Sequence, residues 1–281
     1  MLDRPAVIYL YDGSFAGLLC CVFESYAQRE IPADILSRDM SRTVLLPVKE
    51  IATDSQKANR VLISIPKKMG RGALDFVRHA FLTCLPQKER YILLFLRLGY
   101  RHGPPVMEML ANDVVNTLFK GVKHLQRESH LLKGFLRFSV FNEVLVGEIE
   151  PKNYVLPLLA GHFRRRYPEE HFLIFDRTHG AALAYRPYRS AIVALEELVL
   201  PEPDDQERFF RDLWRHFYAA IEIPDRHNPR CRMSQMPKRY WKYMTEFDHP
   251  QKCLPVPEHP GPGRLPGAQA PSEGGPVSGF D

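Results

Sequence analysis

Cysteine is scarce in this chain of 281 residues and badly spaced for metal chemistry. Cys20, Cys21, Cys84, Cys231 and Cys253 form none of the paired spacings that hold zinc or an iron–sulfur cluster, and an odd count argues against a disulfide framework. Reduced thiols in a cytoplasmic protein are the simplest account, and neither a metal nor another cofactor is expected. Long apolar runs are missing as well. Stretches such as Tyr91 to Leu96 fall far short of the roughly 20 residues that cross a bilayer, so no membrane partner is expected. The run Ala6 to Tyr11 is broken by Asp12 and Gly13 and has no basic leader beyond Arg4, so no targeting signal is read there.

What the chain does have is apolar mass and a slight excess of positive charge. With 45% hydrophobic and 25% charged residues it can bury a substantial core. Its 38 lysines and arginines exceed its 33 acidic residues by a formal +5, so how the charges are segregated matters more than their sum. From Asp248 onward proline and glycine are frequent and bulky residues few, which predicts a disordered tail over 248–281 behind a folded unit over 1–247.

In the first half, Ala6 to Leu10 reads as a buried strand. Asp12, Gly13 and Ser14 turn it into a helix carrying Phe15, Leu18, Leu19, Val22, Phe23 and Tyr26, with Ser14 as its N-cap. Thr43 to Val48 reads as a second short strand, and Ser55 to about Ser129 as largely helical. The last helix of that region follows Gly103, Pro104 and Pro105 and collects Val106, Met109, Leu110, Val114, Leu118, Val122 and Leu125. Lys120, Lys123, His124 and Arg127 then fall at its end, where the helix dipole favours cations with no ligand involved.

Beyond about residue 130 the period changes. Leu136, Phe138 and Val140 alternate with polar neighbours, Asn142 and Glu143 make a turn, and Val144 to Ile149 continues in kind, which predicts a hairpin. A helix over Tyr154 to Arg166, a strand over Phe172 to Phe175, a turn at Thr178, His179 and Gly180 and a strand over Ala182 to Tyr185 follow. The expected fold class is α+β: an antiparallel sheet built from hairpins with helices packed on it (131–247), plus a mostly helical N-terminal half (1–130).

The segment Asp204 to Phe247 carries the chemistry. Asp204 and Glu207 open a helix like a capping box, and Phe210, Leu213, Trp214, Phe217, Tyr218 and Ile221 define one face of it, expected to be buried. Arg208, Arg211 and Arg215 share another face. Pro224 stops this helix, a basic loop follows that is too long for a helix-turn-helix link, and Pro237 opens a second helix. Between Asp225 and Glu246 there is no acidic residue, a pattern suited to a polyanion.

The run ERFFRDLWRHFYAAIEIPDRHNPRCRMSQMPKRYWKYMTEF, together with YDGSFAGLLCCVF, GFLRF at Gly134 to Phe138 and HFRRRYP at His162 to Pro168, resembles a bacterial family described as probable DNA metabolism or putative DNA repair proteins. Members of that family occur beside a putative DNA-repair radical SAM protein, or fused in front of a uracil-DNA glycosylase-like, uracil-DNA-binding domain. The resemblance implies a role in DNA maintenance and such proteins as partners. This chain carries neither the C-x3-C-x2-C motif of radical SAM enzymes nor a Gly-Glu-x-Pro-Gly glycosylase segment. An accessory role, with the companion performing the chemistry, is therefore expected.

Three functions remain open on these residues. A DNA-binding accessory module would use Arg137, His162, Arg164, Arg165, Arg166, Arg226, Asn228, Arg230, Arg232, Lys238, Arg239 and Lys242 on phosphates, with Tyr240 or Trp241 stacked on a base. An enzyme acting on nucleic acid would need His162, Asp176 and His179 to gather as acid and base. A protein-interaction adaptor would use the same aromatic and arginine-rich surface without DNA.

Overall fold

The first strand, β1 (Ile8–Tyr11), ends in a turn at which Gly13 takes a left-handed φ of 80°, a conformation open to glycine at no steric cost. Ser14 then caps α1 (Phe15–Ala27) by accepting from the Gly17 amide (2.9 Å), as its position predicted. β2 (Asp34–Ser37) pairs parallel with one side of β1 and β3 (Val48–Glu50) with the other, giving a three-stranded parallel sheet of order β2-β1-β3. β2 was not expected: four residues with no alternation leave little local signal. The computed structural model describes residues 7–38, 45–223 and 228–247. The strand expected over Thr43 to Val48 is found further on, at Val48–Glu50, with residues 45–47 outside any strand; its first two positions and the tail expected over 248–281 lie outside the described residues.

Three helices, α2 (Ser55–Met69), α3 (Arg71–Phe81) and α4 (Lys88–His102), close over this sheet around Tyr9, Tyr11, Leu18, Ile35, Ile65 and Phe95. The next helix, α5, runs Asp113–Phe135 rather than starting at Val106. Gly103 at a φ of 73° and two prolines hold Pro104–Glu108 in a 3-10 turn, and the Asn112 side chain, accepting from the Val114 and Val115 amides, sets the true start. α5 links two hydrophobic clusters. It gives Val115, Leu118 and Val122 to the first and Leu125 and Leu132 to the second.

The second cluster lies under a five-stranded sheet. β4 (Ser139–Phe141) and β5 (Val144–Ile149) form the expected hairpin, with Asn142 and Glu143 both at positive φ in its two-residue turn. α6 (Leu156–Arg166) then returns the chain so that β6 (His171–Asp176) lies parallel to β5, Val144 opposite His171 and Ile149 opposite Asp176. β7 (Ala181–Arg186) and β8 (Arg189–Ala194) complete the order β4-β5-β6-β7-β8 in antiparallel fashion. The α+β class fits, but the sheet is mixed rather than purely antiparallel. A link that carries a whole helix is long enough for a crossover, so β5 and β6 need not be treated as hairpin partners.

The C-terminal segment departs most from expectation. α7 (Asp205–Ala220) starts at the Asp204 cap as read, but Glu207 is its only buried residue; the apolar face expected to be buried is open. The second helix, α8, is Pro229–Gln235, inside the stretch read as a loop, because Asn228 caps it and Pro229 occupies its first turn. Pro237 instead precedes a 3-10 turn, Lys238–Tyr243, followed by another at Thr245–Phe247. No described helix is long and apolar enough to cross a membrane.

Candidate nucleic-acid interface

The acid-free window from 226 to 245 does not make an acid-free neighbourhood. Arg137 binds Glu246 through two guanidinium nitrogens, Nη2 (2.7 Å) and Nε (3.2 Å), and lies over the Trp214 ring. Arg239 donates to Glu128 (2.9 Å), 111 positions away in sequence, and Lys242 pairs with Glu150. Arg226 lies outside the described residues. Asn228 is occupied as the α8 cap, Arg230 is exposed, and Arg232 and Lys238 lie over Trp241. Tyr240 is buried and Trp241 stacks on Phe247 (4.5 Å) while donating to the Met236 carbonyl (3.0 Å). These aromatic groups anchor the C-terminal turns to the second core, and neither presents a free face such as a base would need.

Glu128 is the centre of that anchor. Its carboxylate, 1% exposed, accepts from the Lys152 and Asn153 amides, the Asn153 side chain, Arg239 and Tyr240, tying α5 to the loop before α6 and to the C-terminal turn. Burial alone would raise its pKa. The Lys152 and Asn153 hydrogen bonds and the Arg239 charge outweigh that and hold it below the ordinary value.

A different surface gathers unpaired cations. Lys120, Lys123, His124, Arg127 and His130 are exposed along α5, and the only acidic residue between Val114 and Val140 is the buried Glu128. Because α5 continues to Phe135, these side chains sit in mid-helix. A helix dipole acts within the last turn, so it does not account for them as the sequence reading supposed. α6 lies alongside: His124 contacts Asn153 (3.1 Å) near its start, and Lys133 sits close to His162 further on, so the two helices run in the same direction. α6 holds no acidic residue and ends in the exposed Arg164, Arg165 and Arg166. Among the described residues, Lys133 and these three arginines take part in no ion pair.

His162 senses that field. Partial burial, then the charges of Lys133, Arg166 and Arg165, hold its pKa below the ordinary 6.5. A titration followed by NMR should place His162 below that value, and Lys133→Gln or added oligonucleotide should move it up, since each removes positive potential. A titration unmoved by either would separate His162 from the cluster.

The three candidate catalytic residues are not brought together. His179 Nδ1 meets Asp176 Oδ2 (2.7 Å), Asp176 Oδ1 accepts from the Thr178 and His179 amides, and the His179 ring packs on Tyr154 (5.2 Å). His162 lies roughly two turns along α6 from Tyr154 and shares none of these contacts. The amide contacts are those of an Asx turn closing the β6–β7 hairpin, which accounts for a fully buried Asp176 without chemistry.

No curated protein matches this chain. Residues 86–246, which take in α4 through the 3-10 turn at Lys238–Tyr243 and hence the whole five-stranded sheet and the α5–α6 surface, match the model of a domain of unknown function, DUF4130; this is more than half of the chain, which therefore belongs to that family.

Proposed function

We propose that this protein is a noncatalytic DNA-binding accessory module in DNA repair or DNA metabolism, in which the exposed cationic side of α5 and α6 follows a phosphate backbone. The observation that carries this reading is the run of cations Lys120, Lys123, Arg127, Lys133, Arg165 and Arg166 on two adjacent helices whose one exposed carboxylate, Asp113, lies in the first turn of α5, ahead of the run. Lysines and arginines spaced by one helical turn can each neutralise a phosphate and release its counterions, which gives affinity without sequence preference. Tyr240 and Trp241, the two aromatic residues expected to meet a base, are engaged in the second core, which favours contact with the backbone over stacking there. A companion of radical SAM or uracil-DNA glycosylase type, as the family resemblance implies, would then supply the reaction.

The test is a fluorescence anisotropy titration of the purified chain against single-stranded, double-stranded and uracil-containing oligonucleotides at low salt. Micromolar or tighter binding, little changed by base sequence, is the expected result. Failure to bind any of the three would overturn the reading.

A further inference from the structure

α7 meets the rest of the molecule with its polar side. Glu207 accepts from the Val140 amide (3.1 Å), Arg211 donates to Ser139 Oγ (2.6 Å), Trp214 Nε1 to Glu246 (3.0 Å) and Arg215 Nε to the Thr245 carbonyl (3.2 Å). Tyr218, one turn on, packs edge-on against Phe247. The opposite side carries Phe209, Phe210, Leu213, Phe217 and Ile221, each between 51% and 61% exposed. A surface helix ordinarily turns its apolar stripe to the core and its polar stripe to water. Here the orientation is reversed.

With the exposed edge of Trp214, these six side chains leave on the order of 600 Å² of largely apolar surface open, taking about half of a large side chain's area for each. That is at the upper end of what a monomer carries in one patch, and two such faces together reach the roughly 1,200 Å² at which stable interfaces begin.

We propose that this stripe is the contact surface of a symmetric dimer, α7 of one copy packing antiparallel on α7 of a second. The stripe is complementary to its own reversed copy. Leu213 stands at its middle, with Phe209 one turn before it and Phe217 one turn after, so a twofold axis beside Leu213 lays Phe209 of each copy against Phe217 of the other. The flanking charges point the same way. Arg208 pairs with Asp205 (3.8 Å) and Arg215 with Asp212 (2.5 Å), so this rim carries both signs along its length and calls for no partner of a single charge. An apolar centre with a balanced polar rim is the build of a homodimer interface.

Sedimentation equilibrium of the full chain tests this. The 32.5 kDa chain should sediment as a dimer at micromolar concentration. Leu213→Glu and Phe217→Glu should each weaken the dimer at least about tenfold, since both put a charge into the apolar centre. Both positions are exposed within the chain, so far-UV circular dichroism should not change, and the melting temperature should fall only to that of the dissociated wild-type chain. A wild-type chain that stays monomeric, or a dimer that survives both substitutions, would overturn the proposal. So would a chain truncated after Phe247 that dimerises where the full chain does not, because residues 248–281 would then be the occupant of the stripe.

Discussion

Neutralising Lys133, Arg165 and Arg166 together by glutamine should cost the protein about two orders of magnitude in DNA affinity at physiological salt. Each cation on a phosphate contributes about 0.9 to the exponent with which binding falls as salt rises, so losing three removes a factor of roughly 100 to 200 near physiological ionic strength. The loss should be the same for any base sequence, because backbone contacts position a duplex without reading it. These residues are only partly buried or exposed and have no ion-pair partner among the described residues, so substitution leaves no carboxylate stranded. The loss of favourable charge at a helix end costs a few tenths to about 1 kcal/mol each, and the fold should survive. Lys242→Gln is the matching control. Its ammonium is engaged by Glu150, and neutralising it should change affinity less than about threefold. Equal losses from Lys242→Gln and from the triple variant would place the contact at the C-terminal turns instead.

Replacing Glu128 by alanine should destabilise the protein by about 3 kcal/mol or more, a large share of a typical domain's total. The carboxylate is the shared acceptor for two backbone amides, the Asn153 amide group, Arg239 and Tyr240, and its removal leaves buried donors without a partner. A drop in the urea midpoint measured by tryptophan fluorescence would report this, since Trp241 sits in the turn that Glu128 anchors. The same group predicts an acid limit. Folding holds Glu128 below its ordinary value of 4.5, so its contribution is present above that pH and is lost as pH falls through the folded-state value. Glu128→Gln should be less stable at neutral pH yet lose less on acidification. Parallel pH profiles for the two proteins would remove Glu128 from the account.

This bond pattern also makes Arg239 a poor probe of nucleic-acid binding. Reversing its charge would place a carboxylate against Glu128 and disturb the fold before any ligand is added.

The elements read correctly from the sequence are those with local signals. Ser14 before an apolar run, Asn142 and Glu143 between alternating segments, and Asp204 with Glu207 each write a cap or a turn into a few adjacent residues, and each is found in place. β8 was missed because Arg189–Ala194 is exposed throughout and so carries no alternation between a wet and a dry face. The parallel pairing of β5 with β6 depends on where α6 packs, which no strand residue encodes. Amphipathicity in α7 was legible, yet which side meets the protein was not, since polar groups at Ser139, Val140 and Glu246 claim it from far along the chain.

The candidate site was legible in part. Arg164, Arg165 and Arg166 were read as possible phosphate contacts, and the structure adds Lys133 beside His162 and leaves the three arginines exposed. Lys120, Lys123 and Arg127 were assigned to a helix end because α5 was read as stopping near Ser129; its continuation to Phe135 removes that explanation. Arg137 and Arg239 pair with carboxylates 109 and 111 positions away, distances over which composition carries no information.

The central claim is that the cations of α5 and α6 act together on a phosphate backbone, and the salt dependence of DNA affinity tests it most directly. For the wild-type chain and a short duplex, six phosphate contacts predict a slope of about −5 in log affinity against log salt concentration. A flat line, or affinity that rises with salt, would contradict it.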